Sequence, residues 1–97
     1  MNLIDELMDG LYLIKPKVFV DERGCFMESY NKKSFDNIIS NVVFIQDNES
    51  KSYKGVVRGL HFQNPPFAQT KLVRCITGKL LDITLDLRKN SKTYGKT

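Results

Sequence analysis

The sequence contains few of the residues from which proteins build metal centres and disulfide frameworks. Its 97 residues include one histidine, two cysteines and no tryptophan. A metal site in a small β-barrel would typically need two or more histidines and a carboxylate, so we predict no metal. We also expect no other cofactor. Cys25 and Cys75 form no Cys-x-x-Cys pair, and we expect both to be buried, reduced side chains in a cytoplasmic protein.

Long apolar runs and dense basic stripes are also missing. No segment approaches the roughly 20 apolar residues that a membrane-spanning helix requires. The first ten residues carry acids where a secretory signal would be basic. The net charge of +4 is spread along the chain, whereas a nucleic-acid-binding surface would concentrate it. We therefore predict a cytoplasmic protein with no membrane and no nucleic-acid partner, and a small anionic ligand fits the charge better.

The length permits one small domain, over residues 1–97, with a modest core. Short alternating segments separated by glycine and proline indicate an antiparallel β-sandwich or barrel. We predict a helical turn at 1–10, an extended stretch at 11–20 bent by Pro16, a turn at 21–24, and a helix at 31–41 with Ser34 as a possible cap. The further predicted strands are 25–30, 42–46, 56–63, 70–77 and 80–88.

The last seven residues, SKTYGKT, follow a good strand pattern without a closing element. A double-sheet roll with about six strands would keep exposed edges, which natural proteins usually cover. We therefore expect a barrel that is incomplete at its C-terminal end, either truncated or completed by another chain.

The segment 55–71, GVVRGLHFQNPPFAQTK, places His61 between two cations, Arg58 and Lys71. A neutral imidazole can remove an acidic proton, such as one next to a ketone. Lys71 could then stabilise the enolate oxygen, while Arg58 and Arg23 could hold phosphate oxygens. The alternative from the residues alone is that His61 is a half-buried residue with a structural hydrogen bond.

Two further groups are candidates for substrate contacts. Phe26 and Glu28 lie on the same side of a predicted strand, where they could stack on and hydrogen-bond a nucleobase, or be core and surface residues. Gln46 and Asn48 lie at a strand-to-loop junction, where their amides could contact a ligand or serve the turn. Asp82 and Asp86 share the polar face of the last predicted strand, which is either solvated or lines the barrel near His61.

Four segments together resemble the dTDP-4-dehydrorhamnose 3,5-epimerase family. They are FVDERGCFMESYN, FIQDNESKS, GVVRGLHFQNPPFAQTKLVRC and LDITLDLRKNSKTYGK, which occur in the family's order and near its spacing from about Pro16 to Lys96. The resemblance implies a cupin-type jelly roll that acts without metal as a homodimer. The implied substrate is a dTDP-linked 4-keto-6-deoxy sugar, epimerised at C3 and C5 on the way to dTDP-L-rhamnose and polysaccharide.

The resemblance also implies roles for individual residues. His61 is similar to the family's base and Lys71 to the residue that stabilises the enolate. Arg23 and Arg58 are similar to the diphosphate and nucleotide contacts, Phe26 and Glu28 to the thymidine contacts, and Gln46 and Asn48 to polar groups lining the pocket. In such dimers N-terminal strands reach the partner's site, so Arg23, Phe26 and Glu28 could serve the other subunit.

Family members continue beyond the segments that match. The tyrosine acid and the aspartate that orients the histidine lie in that further part, and Tyr94 does not match the tyrosine. We therefore expect little or no activity from these residues alone. The alternatives are a related ketoisomerase or single-site epimerase, and a non-catalytic module that binds dTDP sugars or dimerises.

Overall fold

The computed structural model of the protein describes all 97 residues, Met1–Thr97. Two antiparallel hairpins and one short helix occupy the first third of the chain. The elements are β1 (Asn2–Met8), β2 (Leu11–Lys15), β3 (Val18–Asp21), β4 (Gly24–Met27) and α1 (Lys32–Asp36). The chain is thus β-rich, with few helices and no closed barrel, and β1 pairs only with β2 and β3 only with β4.

The first hairpin pairs Asn2 with Lys15 and Met8 with Leu11, with two irregularities in β1. The predicted helical turn at 1–10 is therefore wrong. A helix of that length is marginal in water, and Asp9-Gly10 is a dipeptide that favours a tight hairpin turn. Gly10 adopts φ +79°, a conformation that glycine reaches without the strain a side chain would add.

The second hairpin, β3–β4, confirms the turn predicted from the sequence Asp-Glu-Arg-Gly. Pro16 separates it from β2, and its turn is closed where Asp21 accepts a hydrogen bond from the Arg23 backbone N–H at 2.8 Å. The strand predicted at 25–30 is shorter and ends at Met27. Nearly every residue of the hairpin is exposed. An isolated two-stranded hairpin has little stability in water, so we expect it to pack against another surface.

Helix α1 is capped by Asn31, whose side chain accepts a hydrogen bond from the Ser34 N–H at 3.0 Å. The cap predicted at Ser34 is therefore wrong, since an asparagine three residues earlier fills that position. Lys32 and Asp36, one turn apart, form an ion pair at 2.7 Å. These local bonds explain why a helix of only five residues forms.

The helix contributes the best-buried apolar side chain, Phe35, which is 1% exposed. Its ring packs against Tyr30 and Phe44, with centroid separations of 5.7 and 5.3 Å and the Phe44 ring edge-on. Edge-to-face aromatic pairs add about 0.5–1.5 kcal/mol beyond burial. This three-ring cluster joins the helix to the segment that follows it.

The rest of the chain forms no strand, so the strands predicted at 42–46, 56–63, 70–77 and 80–88 are wrong for this chain. An alternating pattern chooses which side of a strand is apolar, but a ladder also needs a hydrogen-bonding neighbour, which the chain does not supply. Only three of 97 residues are buried, namely Met8, Phe35 and Asp86. Large apolar side chains stay exposed instead, including Val57 at 88% and Leu81 at 86%.

Both cysteines are free and exposed, so the prediction that they are buried is wrong. Cys25 lies on the exposed β3–β4 hairpin, and Cys75 lies in a segment that has no ladder partner. No helix of the structure has the length and apolar character needed to cross a bilayer.

Candidate functional site

Two predicted substrate contacts, Arg23 and Phe26, lie together on the β3–β4 hairpin and line an open cleft of about 510 Å³. Phe26 is 70% exposed, so its ring is available to stack on a planar ligand. The Arg23 guanidinium donates to Asp21 at 2.6 Å, and this bond holds the pKa of Asp21 below its usual range. An exposed pair of this kind contributes little to stability, so a phosphate could displace Asp21 at low cost. Glu28 follows directly after β4 and is exposed.

His61 lies exposed in the segment after Gly59 and makes no hydrogen bond. The structure therefore does not show the half-buried, hydrogen-bonded histidine that was the alternative interpretation. A Cβ at Gly59, where φ is +110°, would lie 3.3 Å from His61 Nδ1. Glycine at 59 is thus favoured by its backbone conformation, and a side chain there would also require the exposed imidazole to shift by a few tenths of an ångström.

The remaining predicted contacts are also exposed: Gln46, Asn48, Arg58 and Lys71. Arg58 donates to the Lys51 carbonyl oxygen at 3.4 Å, a long bond that leaves most of its guanidinium free. Lys71 lines a second cleft, of about 430 Å³, together with Gly10, the segment 68–70 and Arg88. Neither of the two clefts includes His61, so the chain holds parts of the predicted site on separate surfaces.

No group of three or more histidine, cysteine, aspartate or glutamate side chains lies close enough together to hold a metal ion. The prediction of chemistry without metal rests on the sequence and stays a prediction.

The most completely hydrogen-bonded polar group in the chain is the carboxylate of Asp86, which is 6% exposed. It accepts from the backbone N–H and Nε of Arg88, both at 3.0 Å, and from the hydroxyls of Ser91 at 2.6 Å and Thr93 at 2.7 Å. With Asp9, which bonds to the same hydroxyls, these residues form what we call the Asp86 cluster. Sequence reasoning placed Asp86 only on a polar strand face. The signal it missed was the spacing Asp-x-Arg-x-x-Ser-x-Thr, whose donors converge on one carboxylate.

The Arg88 guanidinium, followed by the two hydroxyls, holds the pKa of Asp86 far below its usual range. Since the folded-state pKa is depressed, the carboxylate stabilises the fold fully above its unfolded pKa of about 3.9. That stabilisation is lost as the pH falls from about 4 through the depressed value.

Asp86→Asn is expected to lower the thermal midpoint at pH 7, because an amide places a donor where two hydroxyl donors converge. The gap between the parent and the variant should stay constant from pH 7 to about 5 and narrow only below about 4. Circular dichroism melts across this range would measure it. A gap that closed already between pH 7 and 6 would show that the Asp86 carboxylate is not the group responsible.

Comparison with known proteins assigns the chain to one family. The family model described as dTDP-4-dehydrorhamnose 3,5-epimerase matches residues 6–97. The chain is 53% identical over 97 residues to the dTDP-4-dehydrorhamnose 3,5-epimerase of Shigella flexneri, covering 99% of this chain and 54% of that protein. It is 53% identical over 95 residues to the enzyme of that name from Methanothermobacter thermautotrophicus, covering 98% of this chain and 51% of that protein.

A solved structure agrees with these relatives. The crystal structure of dTDP-4-dehydrorhamnose 3,5-epimerase from Elizabethkingia anophelis NUHP1 superposes with a TM-score of 0.87 at 47% identity, over 97% of this chain and 52% of that one. The chain belongs to the dTDP-4-dehydrorhamnose 3,5-epimerase family, which confirms the resemblance seen in the sequence. It spans about half the length of the curated relatives it matches.

Proposed function

We propose that these residues are part of an enzyme that epimerises dTDP-4-keto-6-deoxyglucose at C3 and C5, in dTDP-L-rhamnose biosynthesis. The observation that carries the proposal is the family match over residues 6–97, at 53% identity to the Shigella flexneri relative. The reaction needs no cofactor, because protons next to a ketone are acidic enough for a side-chain base when the enolate is stabilised.

In this proposal His61 removes the C3 and C5 protons. Its exposure supports the role, since a base must be able to reach its substrate. Lys71 stabilises the negative charge that develops on the ketone oxygen. It is exposed and has no carboxylate partner within ion-pair distance, so its charge is available.

The other predicted residues bind the nucleotide part of the substrate. Arg58 and Arg23 hold the diphosphate, Phe26 and Glu28 contact the thymidine, and Gln46 and Asn48 line the pocket. The presence of the exposed Phe26 ring and Arg23 in one cleft supports this division, since a nucleotide presents a base to stack and a phosphate to bind a short distance apart.

We further propose that the complete fold is a cupin-type jelly roll, of which residues 1–97 are one partial domain. The exposed apolar side chains between 42 and 83 support this, because monomeric proteins rarely leave so much apolar surface uncovered. The missing ladder partners would come from sequence corresponding to the rest of the relatives, and the chain alone would be inactive because its site is incomplete.

A homodimer with strand exchange would also give the β3–β4 hairpin a surface to pack on, and the hairpin's exposure supports it. Arg23, Phe26 and Glu28 would then act in the partner's site. A hybrid chain, in which residues 1–97 are followed by the remaining part of the Shigella flexneri relative, should sediment with the mass of two chains. A monomer at micromolar concentration that still binds dTDP would contradict this assembly.

The test of the function uses a hybrid chain, in which residues 1–97 are followed by the remaining part of the Shigella flexneri relative. Incubated with the 4-keto sugar nucleotide in deuterium oxide, the hybrid should incorporate deuterium at C3 and C5, detected by NMR. Incorporation at one carbon would favour a single-site epimerase, and conversion to a sugar with a moved ketone would favour a ketoisomerase. A folded hybrid that binds dTDP but does not exchange these protons would favour the alternative that the chain is a non-catalytic binding module.

A further inference from the structure

Three side-chain hydrogen bonds join the turn of the first hairpin to the far end of the chain. The Asp9 N–H donates to Thr93 Oγ1 at 3.3 Å, Ser91 Oγ lies 3.2 Å from Asp9 Oδ2, and Arg88 Nη2 donates to the Asp9 carbonyl oxygen. They span 79 to 84 residues, while every other side-chain hydrogen bond spans seven or fewer. These hydrogen bonds of the Asp86 cluster therefore hold the β1–β2 turn against residues 88–93.

The same turn forms a wall of the cleft that Lys71 lines. Gly10 and Arg88 line it together with the segment 68–71. A Cβ at Gly10 would lie 3.3 Å from Arg88 Nη1, so the absence of a side chain there lets the guanidinium approach the turn. The guanidinium is also bonded to the Asp86 carboxylate, with Nη2 to Oδ2 at 3.0 Å.

Charge distinguishes the two cations of this cleft. The charge of Arg88 is neutralised by the buried carboxylate of Asp86, with Nε to Oδ1 at 3.0 Å. Lys71 has no such partner. An anionic oxygen entering the cleft would therefore meet one free ammonium group, in a cleft whose Gly10 and Arg88 are held in place by the hydrogen bonds to Asp9.

We propose that the Asp86 cluster is a positioning device for Lys71, with Arg88 as its central positioning residue. The inference rests on the proposed role of Lys71 in stabilising the enolate. By holding the β1–β2 turn against residue 88, the cluster determines the position of Gly10 and Arg88 in the cleft that Lys71 also lines, and with it the approach of the ketone oxygen. When a change far from the reacting atoms displaces a catalytic group or the substrate by about 1 Å, the rate can fall about 100-fold.

The test compares Arg88→Ala and Thr93→Val with Lys89→Ala in the hybrid chain. Thr93→Val removes one hydroxyl donor to Asp86 while keeping the side-chain shape, so it should fold even if Arg88→Ala does not. Lys89 is the matched control, because it is the neighbouring exposed cation and has no ion-pair partner. The readouts are kcat and KM for solvent exchange and the melting temperature.

Arg88→Ala is expected to lower kcat about 10-fold or more, with KM changed less than about threefold. Thr93→Val should lower kcat by a smaller factor. Arg88→Lys should recover part of the loss in kcat seen with alanine. Lys89→Ala should leave both constants within about twofold. If the Arg88 and Thr93 variants melt earlier but turn over like Lys89→Ala well below their melting temperatures, the cluster is structural only and the inference is overturned. A folded parent hybrid without exchange would instead overturn the proposed function.

Discussion

Replacing His61 with alanine in the hybrid chain is expected to lower the rate of deuterium incorporation by a factor of about 10² to 10⁴, the usual contribution of a general base. The affinity for dTDP should change less than about threefold. The physical reason is that the proposed mechanism has the imidazole remove protons from the reacting carbons of the sugar, whereas the proposed nucleotide contacts lie on other residues. NMR exchange rates and calorimetric titration with dTDP measure the two quantities separately.

His61→Gln is the informative companion variant. Glutamine keeps a polar side chain of similar reach but cannot accept a proton near neutral pH. It should therefore be as slow as alanine while the melting temperature stays at the parent value. If glutamine restored the rate, or if both variants lost dTDP binding as much as exchange, His61 would have a structural role in this protein.

Lys71→Ala is expected to give the second large effect, a fall in kcat of about 10² to 10³ with a much smaller change in KM. Removing one group that stabilises a developing oxyanion typically costs this much. The charge on the ketone oxygen exists in the transition state and not in the bound ketone, so the loss falls on turnover rather than on affinity. Steady-state kinetics of the hybrid chain would resolve the two constants.

The matched control is Lys79→Ala, which removes an exposed lysine outside both clefts. It should leave kcat and KM within about twofold of the parent. Lys71→Arg, which keeps the charge and changes its shape, should retain more activity than alanine. A loss confined to KM in Lys71→Ala would make Lys71 a substrate-binding residue and remove the basis of the positioning role argued for Arg88.

Local chemistry made parts of the fold predictable. The β3–β4 turn followed from Asp21 to Gly24, because aspartate bonds its own backbone and glycine ends the turn without strain. The first hairpin was missed because apolar residues at helical spacing outweighed the Asp9-Gly10 turn signal. The helix was found but its cap was misplaced, because the competition between Asn31 and Ser34 depends on where the chain enters the helix.

The strands predicted after residue 41 failed for a different reason. Alternation in segments such as 80–88 specifies two faces, but a strand exists only when a neighbour accepts its hydrogen bonds, and that information is non-local. The site was predictable to the same extent. The residue types pointed to His61 and Lys71 individually, while the bonds around Asp86, which bring residues 9 and 93 together, are visible only in three dimensions.

The uneven distribution of backbone hydrogen bonds has a consequence for proteolysis. Between residues 42 and 84 the backbone makes two such bonds, Val56 N–H to Tyr53 and Phe67 N–H to Asn64, while both ends of the chain are tied by hairpins and by the Asp86 cluster. A protease needs several residues of extended, unbonded backbone in its cleft, so trypsin would cut this middle stretch first, at its exposed lysines and arginines. When strands from elsewhere in the protein or from a partner chain pair with this stretch, trypsin should cut it more slowly.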